Sequence, residues 1–166
     1  LSGELNELEP VYDPKRGYRY PIVEAIVGDA SNAENFLNRL CPLLDAIVEL
    51  REGRIRARFR EGVKIRQIVL VSTSGWWETG NMDTVLRIAE EFAKDVGQQL
   101  AAAVLRPHAH LMKESKEKGK IILEAARQAG AQLIREGRVN KKLLDVISQP
   151  LISEQAYRQG NNDAYQ

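Results

Sequence analysis

Ile68-Val69-Leu70-Val71-Ser72-Thr73-Ser74-Gly75-Trp76-Trp77-Glu78-Thr79-Gly80 is the stretch whose reading decides the fold. Its first four residues are apolar without interruption, the pattern of a strand buried on both faces within a parallel sheet. From Ser72 to Gly80 the chain becomes polar and glycine-bearing, as a loop at the carboxyl end of that strand would. Asn81 then stands where a helix cap is expected. Val85, Ile88, Ala89, Phe92 and Val96 follow at three- and four-residue spacing, the buried stripe of a helix that Gly97 stops. Leu100 to Leu105 reads as the next strand, closed by Arg106-Pro107. Strand, helix and strand in succession make a βαβ unit, so two parallel strands with a right-handed crossover are expected.

Upstream, residues 1–21 form an irregular lead-in with Pro10, Pro14, Pro21 and Gly17. Ile22 to Val27 is a β-branched run, read as a strand that ends at Gly28-Asp29. Ser31 or Asn32 can cap the next helix, with Glu34 closing a capping box from Ser31. Phe36, Leu37, Leu40, Leu43 and Leu44 supply its stripe, and Pro42 ends or kinks it near Leu40. Residues 49–66 are the most basic segment. There Ile55, Ala57 and Phe59 alternate with arginines, a period of two that fits an exposed strand or arm over 54–59. Its arginines can be a solvated edge that deters aggregation, an oligomer or anion contact, or a sequence-independent nucleic-acid surface. The lack of interleaved aromatics counts against nucleic acid.

Downstream, Ile122, Ala125, Ala126, Ala129 and Leu133 make one apolar helix face, with Gly137 as its C-terminal stop. Asn140 caps a short helix carrying Leu143, Leu144 and Ile147, and Pro150 terminates it. Residues 153–166 read as a polar tail expected to fray. The domain organisation is therefore 1–21 lead-in, 22–152 α/β domain and 153–166 tail.

Composition excludes more than it proposes. Of 166 residues 43% are apolar and 28% charged, and 24 basic side chains against 23 acidic leave a net charge of +1. That balance gives no global pull toward nucleic acid or an anionic membrane. No apolar run reaches membrane-spanning length, and the start has no signal-peptide core. The single cysteine, Cys41, cannot close an internal disulfide and reads as a small buried hydrophobe on its helix. A reducing cytoplasm is the expected setting. Two histidines, His108 and His110, lack a third ligand at metal spacing, so an ordinary surface or loop role is expected for both.

In parallel sheets ligands bind outside the carboxyl ends of strands. Two loops qualify, Gly28 to Asn32 and Ser72 to Gly80. The second offers three hydroxyls and an accessible backbone for a polar heterocycle edge, and two tryptophans for its face, although a Trp pair after a buried strand is more often core or lid packing. The run Val69 to Glu78, Asn81-Met82-Asp83 and Ala103-Val104-Leu105-Arg106-Pro107-His108 together resemble the flavodoxin-like, NAD(P)H-dependent FMN reductase family, which includes iron–sulfur flavoproteins and quinone reductases. Gly28-Asp29 with Asn35 to Leu44, and Ala125 to Arg138 with Ile147-Ser148, extend the likeness over roughly residues 22–152.

The resemblance implies a three-layer flavodoxin-like parallel sheet with helices on both faces. It implies FMN beside Ser72, Thr73, Ser74, Gly75, Trp76 and Trp77, with Gly28, Asp29, Ser31 and Asn32 over the other side of the ring. NAD(P)H would be the hydride donor, and electrons would pass on to an acceptor. The family's first phosphate-binding βα turn has no counterpart upstream of Gly28, so the likeness is to the back half alone. Family iron–sulfur clusters need several cysteines, which Cys41 cannot supply. The alternative is a cofactor-free structural or interaction module derived from that family. Few strands leave an open sheet edge, so a homo-oligomer or a partner chain completing the sheet is expected.

Overall fold

The computed structural model describes residues 37–65 and 67–163. The lead-in, the strand expected at 22–27, its loop residues Gly28, Asp29, Ser31 and Asn32, and the cap at Glu34 all lie outside the described residues. What is described is a mixed α/β arrangement with one parallel and one antiparallel strand pair.

The parallel pair is the one that the apolar runs predict. Strand β3 (Gln67–Thr73) pairs with β4 (Gln99–Arg106), in register from Gln67 opposite Gln99 to Thr73 opposite Arg106, with one irregularity at Ile68/Val69. Val69 and Leu70 are both buried although alternation sends them to opposite faces, which is why the run needs no polar positions. Leu70 is fully buried, worth about 1.5–3 kcal/mol of transfer free energy. Helix α1 (Asp83–Asp95) joins the two strands and contacts both. It buries Ala89 and Ala93 with Val96 beyond its end, whereas Ile88 is 48% exposed and does not belong to the buried stripe. Gly97 takes φ +70°, as the helix stop requires. Asn81 does not cap α1. It lies in a 3-10 turn (Thr79–Met82) and its amide donates to Glu78 Oε2 at 3.1 Å.

The long helix α2 (Lys116–Glu136) turns Ile122, Ala125, Ala129 and Leu133 inward, as their spacing demands. Leu133 packs with Val69 and Ala102 of the sheet. Ile122, Ala125 and Ala129 form a second cluster with Ile147 and Leu151, into which Val104 of β4 also packs. Gly137 ends α2 at φ +69°. Asn140 caps α3 (Lys141–Ser148) by accepting from the Lys142 N–H at 2.8 Å. Within the stretch expected to be a fraying polar tail, Glu154–Asp163 is a helix, α4. It buries none of its residues, so its attachment rests on particular polar contacts described below.

The basic segment folds differently from its period-two reading. Strands β1 (Glu49–Arg51) and β2 (Arg54–Arg56) make a separate antiparallel hairpin, with Glu52 at φ +51° and Gly53 at φ +74° in the tight turn. The strand stops at Arg56, and Phe59 makes only an isolated bridge to Leu44. The faces are also reversed, with Ile55 exposed and Arg56 buried. The reason is electrostatic. Arg56 reaches Asp95 Oδ1 at 2.5 Å and Glu91 Oε2 at 3.4 Å on α1, and Arg54 shares Glu91 at 3.1 Å. Arg51 donates to the backbone carbonyls of Ala57 and Asp95. The arginines of the hairpin are thus spent on clamping it to α1. Cys41, expected to be buried, is exposed in the 3-10 turn that Pro42 imposes after Leu40.

Candidate functional site

The carboxyl ends of β3 and β4 face one loop each, and backbone hydrogen bonds fasten the two together. Ser74 N–H donates to the Arg106 carbonyl at 3.0 Å, Ala109 N–H to the Ser74 carbonyl at 3.0 Å, and His108 N–H to the Trp76 carbonyl at 2.8 Å. Ser74 Oγ accepts the Trp76 N–H at 3.0 Å, which tightens the turn from within. Ser72 and Thr73 are strand residues paired with Leu105 and Arg106 rather than loop residues, so the loop begins one or two positions later than the polar run implies.

At the tip, Gly75 has no atom within 4 Å of the place a Cβ would occupy, leaving its backbone open to approach. Trp76 beside it is 64% exposed, unusual for so large an apolar ring. Trp77 is committed elsewhere, with its indole N–H donating to the Ile152 carbonyl at 3.0 Å. It also lines a cleft of about 320 Å³ together with Glu78, Thr79, Pro107, Asp145 and Ser148. Helix α4 reaches this loop through Tyr157, whose hydroxyl donates to the Gly75 carbonyl at 2.7 Å. The Tyr157 ring lies 6.1 Å from that of His108 and 6.3 Å from that of His110. Of the expected contact residues, the structure therefore groups Ser74, Gly75 and Trp76 at the tip. It places Ser72, Thr73 and Trp77 at the base or inside.

Beneath the tip sits a buried polar pair, Arg106 and His108, where the sequence leads to the expectation of a surface or loop role for His108. Arg106 is 6% exposed, and its guanidinium donates to the carbonyls of Pro107, Ile147 and Gln149. The last two are orphaned at the end of α3, where a cation also complements the helix dipole. None of these partners is a carboxylate, and burial pulls the Arg106 pKa down. His108 is fully buried, at φ +36° in the left-handed region. Its Nε2 accepts the Leu151 N–H at 2.8 Å and lies 3.2 Å from Arg106 Nη2. With donors on both sides of Nε2, this arrangement assigns the ring proton to Nδ1, which is buried and makes no hydrogen bond of ordinary geometry. Burial first, and then the Arg106 charge, holds His108 below the usual imidazole range, against a weaker upward pull from the Trp77 backbone. The available signal was the charged residue closing an apolar strand just before Pro107, a position that a solvated arginine has no reason to occupy.

Among the described residues no three His, Cys, Asp or Glu side chains converge as metal ligands would. No helix among them is long and apolar enough to cross a membrane. No protein-family model, curated protein or solved structure matches this chain.

Proposed function

We propose that the loop Ser74–Trp76 is the ring-side half of a flavin site in a redox protein, and that β3 and β4 belong to a larger three-layer flavodoxin-like sheet. The observation that carries the reading is the pairing of exposed Trp76 with the open backbone of Gly75 at the carboxyl ends of two parallel strands. A planar heterocycle stacks on the indole face while its polar edge meets the Gly75 N–H, the other backbone groups of Ser74–Trp76 being engaged within the fold. Tyr157 and His110 widen that aromatic surround. A bound flavin supplies hydride chemistry, with NAD(P)H as donor, and the protein supplies binding and orientation.

The residues fit the ring and not its phosphate. Glu78 immediately before the 3-10 turn and Asp83 in the first turn of α1 follow this loop, and their carboxylates oppose a phosphate there. The reading therefore assigns the phosphate to no described residue. Flavin fluorescence titrated with the full chain tests the assignment, with Trp76→Ala weakening binding about tenfold, or 1.4 kcal/mol. Flavin emission that stays unchanged at protein concentrations of about 100 µM, where even a weak site of about −5 kcal/mol fills appreciably, refutes it.

One observation favours the second reading, a cofactor-free interaction module. Ile47, Val48, Leu50 and Ile55 of the hairpin region are all more than half exposed, an apolar surface suited to a second copy or a partner chain. Sedimentation over a concentration series, run with and without flavin, separates the two. Self-association with no flavin binding leaves only the module.

A further inference from the structure

We propose that His108 is a proton-operated latch, which in its neutral form fastens the segment from Leu151 to Asp163 onto the Ser74–Trp77 loop and on protonation lets it go. The inference concerns regulation of the site proposed above, but its geometry stands without a flavin. Four polar contacts hold the segment to the rest of the molecule at this end, one of them from Lys118 Nζ to the Leu151 carbonyl at 2.9 Å. Leu151 N–H donates to His108 Nε2 at 2.8 Å, Trp77 Nε1–H donates to the Ile152 carbonyl at 3.0 Å, and Tyr157 Oη donates to the Gly75 carbonyl at 2.7 Å. Helix α4 adds no fully buried side chain of its own, Ile152 before it and Tyr157 within it being half-buried, so the last fully buried residue is Leu151, which is 3% exposed. An element held by few polar contacts opens locally before the core does.

The His108 contact is the one that a proton reverses. Nε2 accepts from Leu151 and faces Arg106 Nη2 at 3.2 Å, so both of its neighbours are donors. A proton taken up at Nε2 turns the acceptor into a third donor and sets a second cation against the first in a buried place. The backbones of Trp77 and Trp76 favour the protonated ring, but burial and the Arg106 charge outweigh them, and no side chain facing the ring carries a negative charge. Those side chains are Arg106 of β4, His110 of the following turn and Tyr157 of α4, with Lys118 of α2 reaching the Leu151 carbonyl at 2.9 Å. The carboxylates Glu78 and Asp145 line the adjoining cleft, which His108 does not line.

The pH sense follows from the depressed native pKa of His108. The unfastened segment leaves an imidazole titrating at about 6.5, which binds a proton more readily than the fastened one. Fastening is therefore at full strength above that value and weakens as pH falls below it, by up to tenfold per pH unit until the native group itself protonates.

Hydrogen exchange of the full chain, corrected for the intrinsic pH effect, reads the latch directly. Protection of residues 151–160 should fall at least tenfold from pH 7.5 to 4.5, while Ile122, Ala125 and Leu133 keep theirs. His108→Gln, whose amide oxygen can accept from Leu151 but takes no proton, should remove that pH dependence. Unchanged protection in the wild type, an equal fall in the glutamine variant, or a fall shared by the α2 core would each overturn the latch. Should the variant not fold, the wild-type NMR titration decides. A His108 ring and a Leu151 amide that share one midpoint below 6.5 support the proposal, and separate midpoints or one at or above 6.5 overturn it. Because no flavin is present, failure of the flavin reading leaves these outcomes untouched.

Discussion

Replacing Arg106 by methionine keeps most of the side-chain volume while removing the cation and every donor. In the wild type the guanidinium serves the Pro107 carbonyl at 2.7 Å, the Gln149 carbonyl at 2.9 Å and the Ile147 carbonyl, in a place where Ile147 and Pro107 have almost no water contact. A buried acceptor stripped of its partner costs about 1–3 kcal/mol, and the Gln149 carbonyl, only part-buried, recovers some of that from solvent. Because the three share one donor group their costs do not add fully, which leaves a net loss of about 3–5 kcal/mol. With a urea slope of about 2 kcal/mol per molar, the unfolding midpoint should drop by about 1.5–2.5 M. Arg106→Lys keeps the charge and can reach one or two of the carbonyls, so it should fall between the wild type and the methionine variant. A methionine variant that loses less than about 1 kcal/mol would show that the helix-end carbonyls are satisfied without Arg106, and the account of its burial would be wrong.

Two glycines of α2 should respond in opposite directions to alanine. A Cβ at Gly119 would lie 2.6 Å from the Met112 backbone oxygen, so Gly119→Ala should destabilise by about 1–3 kcal/mol in urea unfolding. Gly130 has nothing within 4 Å, and Gly130→Ala should stabilise by about 0.5–1 kcal/mol through helix propensity and a less disordered unfolded chain. Hydrogen bonds from Arg127 and then Gln128 pull the Glu124 carboxyl down to about 2. Its contribution to stability is thus complete above the ordinary carboxylate range and is lost as pH falls through about 2. NMR should place its midpoint there in the wild type and nearer the ordinary value in Arg127→Gln.

The parallel pair was legible because its physics is local. Four apolar residues in a row at Ile68 and an alternating helix stripe from Val85 leave few other solutions, and the βαβ order follows from them. Caps and stops encoded in single residues, such as Asn140, Gly97 and Gly137, were legible for the same reason. What was not legible depended on partners distant in sequence. Nothing near Arg56 tells that Asp95 and Glu91 will turn it inward and leave Ile55 in water. The helix at Glu154–Asp163 has no apolar face to announce it, and its Tyr157 contact spans 82 residues. The buried Arg106–His108 pair reads as a polar loop start until the carbonyl end of α3 arrives above it. At the candidate site, sequence placed the loop, while its tip at Ser74–Trp76 came from the β3–β4 pairing and the division between exposed Trp76 and committed Trp77 needed the Ile152 carbonyl.

The central claim is that a flavin ring lies against the Ser74–Trp76 tip, and backbone and indole NMR shifts during an FMN titration test it most directly. The account predicts that the Gly75 amide and the Trp76 indole N–H shift together and saturate, with riboflavin producing the same shifts at similar affinity because no described residue holds the phosphate. Shifts confined to other surfaces, or no saturable shift at Gly75 and Trp76 with either flavin, would contradict it.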